Sequence, residues 1–436
     1  MSLQEDFTVD SFSNFEPVVI LDDIMQNLNI YNDKRIKSII KKLYSKFTTI
    51  STEEKVQIKY VDTQIEMFTE KQREILHNNV HNTPRKNKQV SFTQNVSILH
   101  VNPTVINVDD WEFNVMLLQS DEEMYSTAWN ILVRNNYVQT YNIKEQTFAN
   151  FIKQMQLLYN KNNNPFHNFQ HGLSVMQSCY MLSKCKKAVQ AMKNIDIFTV
   201  VFSGLCHDVG HTGRTNNFEV LIQSKLAIRY NDKSVLEQHH LANTFKILKL
   251  ESINCNVFEN LERTEYANVR RQMISNILYT DIKQHFKLKQ DFEIFWKNNI
   301  DNNKSIQLND NELELLSGMI IHTADFTGAA KSFPLARKWS ERVNQEFIQQ
   351  YVEEGQRNVD QTPFMKDLDQ LHVMAKAEKG FLTVIVLPLW QSLNDFYDGE
   401  LQQNVININD SIEQWGKLAL QVPTQNQIEK DENNQK

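Results

Sequence analysis

The sequence predicts an all-α fold, on three observations. Turn-forming residues are scarce, with 10 Gly and 8 Pro in 436 residues. Hairpins and tight turns need both types, and average usage is about 7% and about 5%. Apolar residues recur at i, i+3 and i+4 in one segment after another from Asp109 onward, the spacing that lays a single stripe along a helix. No stretch alternates apolar and polar residues over a convincing strand length.

The elements follow in chain order. "DKRIKSIIKKLYSKF" sets Ile36, Ile39, Ile40 and Leu43 on one stripe. "STEEKVQIKYVDTQIEMFTEKQREILHNN" continues in the same style, with Ser51 or Thr52 as its N-cap. "NNVHNTPRKNKQVSFTQN" is polar, contains Pro84 and reads as a linker. Residues 1–105 are thus expected to form a helical N-terminal extension without a chemical motif. Residues 106–422 carry the helical pattern in "DEEMYSTAWNILVRNNYV", "EQTFANFIKQMQLLY", "NIDIFTVVFSGLCHD", "NDNELELLSGMIIHTAD" and "FPLARKWSERVNQEFIQQY". Residues 423–436, "PTQNQIEKDENNQK", are polar and expected to be disordered.

Composition narrows the function. A net charge of −7 and a pI near 6.0 argue against nucleic-acid binding, which usually shows a basic excess. The four cysteines, Cys179, Cys185, Cys206 and Cys255, form no C-x-x-C pair, which points to a reducing, cytoplasmic setting rather than a disulfide framework. The N-terminus "MSLQEDFTVDSF" lacks the apolar core of a signal peptide. No run approaches about 18 apolar residues, so no membrane span is expected. The longest, Ile195 to Cys206, is interrupted by Asp196 and has the length of a buried helix.

Three apolar helical segments begin or end in metal-ligand residue types. They are "NPFHNFQHGLSVMQ" with His167 and His171, "CHDVGH" with His207, Asp208 and His211, and "GMIIHTADFTG" with His322 and Asp325. A lone His on an apolar helix is usually a satisfied core residue. An adjacent His-Asp pair with His and Asp on flanking helices is different, because unpaired buried carboxylates are costly. The i, i+4 spacing puts His167 and His171 on one face if a single helix includes both. Two imidazoles and two carboxylates suit a Zn²⁺ site with an open position. The second oxygen of Asp208 could reach a harder cation such as Mg²⁺, held mainly by waters. Two metals sharing a hydroxide suit attack on a phosphorus ester.

These stretches, with "LAIRYNDKSVLEQHHLA", "WSERVNQEF" and "GFLTVIVLPLW", occur in the order found in the class I 3′,5′-cyclic-nucleotide phosphodiesterases, which the chain resembles from about Asp109 to Asp398. The resemblance implies a compact, multi-helix HD-type phosphodiesterase catalytic domain. It implies metal-dependent hydrolysis of cGMP, cAMP or both to the nucleoside 5′-phosphate. His171, His207, Asp208 and Asp325 match the family's ligands to Zn²⁺ and Mg²⁺ (or Mn²⁺). His167 matches the acid that protonates the leaving O3′, and Glu346 the carboxylate that orients it. His211, Glu237, His240 and Asp281 match residues that hold ligands and metal waters. Phe381 and Val343 match the clamp on the purine, and Phe347 and Phe166 line the same cavity.

Three positions depart from the family. Glu378 stands where relatives have a glutamine, three residues before the clamp phenylalanine. An amide both donates and accepts, whereas an ionised carboxylate only accepts. Guanine offers N1–H and N2–H₂ together, whereas adenine pairs a donor at N6 with an acceptor at N1. Glu378 is therefore expected to tilt the pocket toward cGMP, to weaken purine binding, or, if protonated or displaced, to leave cAMP turnover in place. Gly328 replaces a side chain that is often polar, and Gly210 one that is often acidic. Neither changes a ligand. Two other readings stand beside this one: a degenerate phosphodiesterase serving a larger assembly as a structural or nucleotide-sensing subunit, and a His-Asp phosphohydrolase acting on nucleoside triphosphates. A protein partner through residues 1–105, or docking on a cytoskeletal or ciliary structure, is compatible with the first two.

Overall fold

Helix-forming sequence accounts for the whole described architecture. The structure, a computed structural model, describes residues 107–299 and 307–421. The helices expected around Ile36–Leu43 and after Ser51, the linker at Pro84 and the tail from Pro423 lie outside the described residues. Among the described residues there are twelve helices of at least ten residues and no strand. They are α1 (Asp121–Arg134), α2 (Glu145–Tyr159), α3 (Phe169–Ser183), α4 (Asn194–Cys206), α5 (Val235–Leu248), α6 (Arg263–Leu278), α7 (His285–Asn299), α8 (Asp310–Asp325), α9 (Phe333–Gln356), α10 (Leu371–Phe381), α11 (Leu387–Phe396) and α12 (Gln402–Ala419).

Caps define where the site-bearing helices start. Asn168 opens α3 by accepting from the main-chain N–H groups of Gln170 (3.0 Å) and His171 (3.3 Å). Asn309 and Glu312 form a reciprocal cap on α8, satisfying donors that the first turn leaves free. Asp196, which interrupts the apolar run of α4, sits in that helix's first turn and accepts from Lys193 N at 3.0 Å. The run is therefore one helix with a polar entrance. From Phe198 to Cys206 every residue of α4 is buried, as befits a helix surrounded on all sides.

α4 is the central element. It packs on α3, α6 and α8, and α8 also contacts α3 and α6. Gly204 permits the closest approach: a Cβ there would lie 2.9 Å from Cys179 Sγ and 3.1 Å from Val175 O of α3. A second group, α9 to α12, packs around α12. A five-residue π-helical segment, Leu382–Val386, joins α10 to α11. α5 packs against α2 and α6. The start of α3 meets the middle of α9, where Arg342 Nη1 donates to Gln170 Oε1 at 2.9 Å.

Candidate active site

Four ligand-type side chains meet where three helices end or begin. His171 is in the first turn of α3, His207 caps the C-terminus of α4, Asp208 follows it, and Asp325 is the last residue of α8. His171 Nε2 and His207 Nε2 are 3.2 Å apart. Asp208 Oδ2 lies 3.2 Å from the first and 3.1 Å from the second. Asp325 Oδ1 lies 3.1 Å and 3.2 Å from them. All four ligand atoms lie within 4.8 Å of one another, close enough for one ion to sit at about 2 Å from each, the Zn–N and Zn–O distance. His207 Nδ1 donates to Gly204 O at 2.8 Å, so its Nε2 lone pair faces that centre.

The electrostatics also call for a cation. Burial works against charge on His207, yet Asp208 and Asp325 raise it well above the usual imidazole range. Burial likewise opposes ionisation of both acids, but His207 and His171 hold them well below the carboxylate range. A proton or a metal ion must sit among these atoms. The donor set fits a divalent cation.

The other oxygen of Asp208 faces a second group. His240 Nε2 is 3.5 Å from Asp208 Oδ1, while its Nδ1 donates to Val209 O at 3.0 Å. Burial lowers His240 to about 3, so it is neutral, with a lone pair facing a carboxylate oxygen. A metal-bound water or cation fits between them. Glu237, in the first turn of α5, accepts at both oxygens from Asn216 Nδ2 (3.0 and 2.9 Å). Burial, then Asp281, pushes it up to about 7. Asp281 is itself held by Ser234 Oγ at 2.8 Å and Lys283 N at 3.0 Å.

His167 and Glu346 form the second half of the site. Glu346, on α9, accepts from the main-chain N–H groups of Phe166 and His167, both at 2.8 Å, through Oε1. Its Oε2 accepts from His167 Nδ1 at 2.5 Å. Burial alone would lower His167, but Glu346 outweighs it and lifts the imidazole to about 9. Glu346 is correspondingly held at about 2 against its own burial. The ring stacks 3.8 Å from His211 and its centroid is 5.8 Å from that of His171. His211 Nδ1 accepts from Gly213 N at 2.9 Å. Burial and the neighbouring His167 keep His211 neutral, well below the usual imidazole range.

The structure separates His167 from His171 in one respect. α3 starts at Phe169, so His167 lies before the helix and the two rings do not share a helical face. The reason is Asn168, whose side chain caps the helix by accepting from the main-chain N–H groups of Gln170 and His171.

The expected pocket residues lie along α9 and α10, apart from Phe166, which precedes α3. Phe166 packs 4.5 Å from the His171 ring and 5.6 Å from Trp339. Val343 is half-buried on α9, and Phe347, one turn on, packs on Phe364 at 5.5 Å. Phe381 is 38% exposed and packs on Phe326 at 5.7 Å. Glu378 is buried, one turn before Phe381. Its Oε2 accepts from Ser340 Oγ at 3.0 Å and its Oε1 from Asn344 Nδ2 at 2.6 Å. Burial raises its pKa, against the lowering effect of those two donors. Gly328 is a close-packing position: a Cβ would lie 2.9 Å from Trp339 Cγ. Gly210 has φ +78°, a conformation that a side chain would strain.

Sequence reasoning missed several supports. Tyr159 is fully buried; its hydroxyl donates to Leu205 O at 2.9 Å and accepts from Asp208 N at 3.1 Å. Asn164 Nδ2 ties His167 O to His211 O at 3.0 and 2.9 Å. Asn344 was not singled out at all. The polar type of these residues inside apolar helical patterns was the available signal.

Comparison with known proteins agrees with this geometry. Residues 166–408 match the family described as 3′5′-cyclic nucleotide phosphodiesterase. The chain is 30% identical over 303 residues to the rat 3′,5′-cyclic-AMP phosphodiesterase 4C, covering 69% of this chain and 56% of that one. It is 31% identical over 315 residues to the 3′,5′-cyclic-nucleotide phosphodiesterase regA of Dictyostelium discoideum, covering 72% and 38%. The chain thus spans about half the length, or less, of these curated relatives. The crystal structure of the phosphodiesterase domain of the RhoPDE fusion protein from the choanoflagellate Salpingoeca rosetta superposes with a TM-score of 0.67 at 29% identity. That match covers 72% of this chain and 96% of that one. No helix among the described residues is long and apolar enough to cross a membrane. On the matched residues and the intact ligand cluster together, the chain belongs to the 3′,5′-cyclic nucleotide phosphodiesterase family.

Proposed function

We propose that this protein hydrolyses a 3′,5′-cyclic nucleotide, cGMP or cAMP, to the nucleoside 5′-phosphate. His171, His207, Asp208 and Asp325 would hold Zn²⁺, and the free oxygen of Asp208 would face a more hydrated Mg²⁺ or Mn²⁺. Bound divalent cations supply charge neutralisation at the phosphoryl group and lower the pKa of water. The observation that carries the reading is the placement of the His167 imidazole, held by Glu346, beside the ligand-type cluster, with ring centroids 5.8 Å apart for His167 and His171.

The chain's own residues then divide the work. His167 Nδ1 is committed to Glu346, which leaves Nε2 to deliver a proton to the departing O3′. His211 and Asn164 hold that ring and its backbone in place. Phe381, Val343, Phe347 and Phe166 offer apolar surface to a purine, and Glu378 meets the edge of the base. The reading places the activity in the cytoplasm and assigns residues 1–105 to a protein partner.

The test is an assay with both cyclic nucleotides, with and without chelator, with products separated by chromatography. Chelator-sensitive formation of a 5′-phosphate is expected. Tight metal binding without turnover would favour a nucleotide-sensing subunit. Turnover of nucleoside triphosphates alone would replace the proposal with a different phosphohydrolase.

A further inference from the structure

A cavity of about 490 Å³ lies beside the segment that presents His167. Pro165 and Asn168 line it, while His167 between them turns to Glu346. Its long wall is one face of α9, where Lys338, Glu341, Arg342 and Gln345 line it at the i, i+3, i+4 and i+7 spacing that shares a face. None of the four converging ligand-type residues is among its walls.

The charges around this cavity do not cancel. Arg342 is half-buried. Its Nη1 donates to Gln170 Oε1 at 2.9 Å, and the guanidinium lies 5.5 Å from the Trp339 ring. Both partners are neutral, so the charge is held in place without being paired. Burial lowers its pKa, with no carboxylate acting to raise it. Lys338, one turn earlier, is exposed, and no ion pair among the described residues includes Lys338 or Arg342. The acid of the wall, Glu341, is already taken, since its Oε1 accepts from Arg337 Nε at 2.8 Å. A charge drawn part-way out of water without a counterion is costly.

We infer that this cavity is a second anion site, one that takes a dianionic phosphate group between Arg342 and Lys338. A guanidinium presents a planar fork of N–H donors that matches two oxygens of one phosphate, and an ammonium adds a point charge. A phosphate monoester carries a charge of about −1.5 to −2 at pH 7, which matches the two cations, whereas a cyclic diester carries a single negative charge. The volume falls within the range of small-molecule sites, about 300–1,000 Å³. Free phosphate and a nucleoside 5′-phosphate, the product class proposed above, both fit this chemistry.

The test uses the full chain, loaded with metal and saturated with a non-hydrolysable phosphorothioate cyclic nucleotide. The analogue occupies the proposed metal site, so added phosphate reports on the second one. Alone, the analogue should bind at one equivalent; two equivalents would overturn the selectivity for a dianion. Inorganic phosphate, then a nucleoside 5′-phosphate, is titrated in by calorimetry with the analogue in large excess. Wild type is expected to take one equivalent of phosphate. Arg342→Gln should weaken that binding by about tenfold or more, the loss expected for hydrogen bonds to a charged group. Lys338→Glu reverses the charge at an exposed position and should weaken it at least as much; it also serves where Arg342→Gln does not fold. Tighter binding of the nucleotide than of phosphate assigns the site to product, and equal or weaker binding assigns it to free phosphate. No saturable phosphate binding with the analogue in place, or an affinity that Lys338→Glu leaves unchanged, overturns the inference. If the protein does not take the cyclic analogue, the reaction proposed above fails, and phosphate titration of wild type against Lys338→Glu still decides the second site.

Discussion

His167 Nδ1 and Glu346 Oε2 lie 2.5 Å apart, across 179 residues of sequence, and the same carboxylate also takes the main-chain N–H of His167. One side chain therefore fixes the position of the imidazole, its tautomer and its charge. Glu346 is the largest influence raising His167 to about 9 against burial, which acts to lower it.

Replacing Glu346 with Gln should move the alkaline limb of the kcat/KM profile down from about 9. At pH 8 a group of that pKa is about nine-tenths protonated, whereas one at the ordinary value of about 6.5 is only about 3% protonated. Turnover at pH 8 should fall far more than turnover at pH 6. The signs for folding follow. The raised His167 contributes stability that is complete below about 6.5 and lost as pH rises through about 9. The depressed Glu346 contributes stability that is complete above about 4.3 and lost as pH falls toward about 2. A limb that stays in place in the Gln variant would remove Glu346 from the role assigned to it.

Ligand and acid should separate cleanly in their metal content. Asp208→Asn removes charge from the ligand tetrad and from the oxygen facing His240. It should abolish hydrolysis and lower bound metal, read by elemental analysis. His167→Ala should slow turnover by about 10²–10⁴-fold with metal retained, because the ring is not one of the four converging ligands. Loss of zinc in His167→Ala would show that acid and ligand have been confused.

Tyr159→Phe tests the support beneath the proposed metal ligands. It orphans the carbonyl of Leu205 and the N–H of Asp208, both inside the α4 terminus. The expected cost is about 1–3 kcal/mol, read as a lower urea midpoint with an unchanged m-value. Metal affinity should weaken as well, since the Asp208 backbone loses its anchor. A change below about 0.5 kcal/mol with normal metal affinity would show that the hydroxyl is dispensable.

Much of this protein was legible in the sequence alone. Apolar spacing reports which face of a helix is buried, and that is a local property of the chain, so the helical character of the described residues followed from it. The His-Asp pair at the end of the apolar run from Ile195 drew attention to the cluster that His171, His207, Asp208 and Asp325 form, because a buried carboxylate has few ways to be satisfied. Local pattern could not say that Asn168 would cap α3 and leave His167 outside it, since side-chain caps compete with helical spacing. It could not show that Tyr159 anchors Asp208, or that Asn344 orients Glu378, because those hydrogen bonds join residues on different helices. Residue type determined what each group can donate or accept; tertiary structure decided which partner each one meets, since charge, tautomer and orientation depend on atoms within a few ångströms and not on neighbours in sequence.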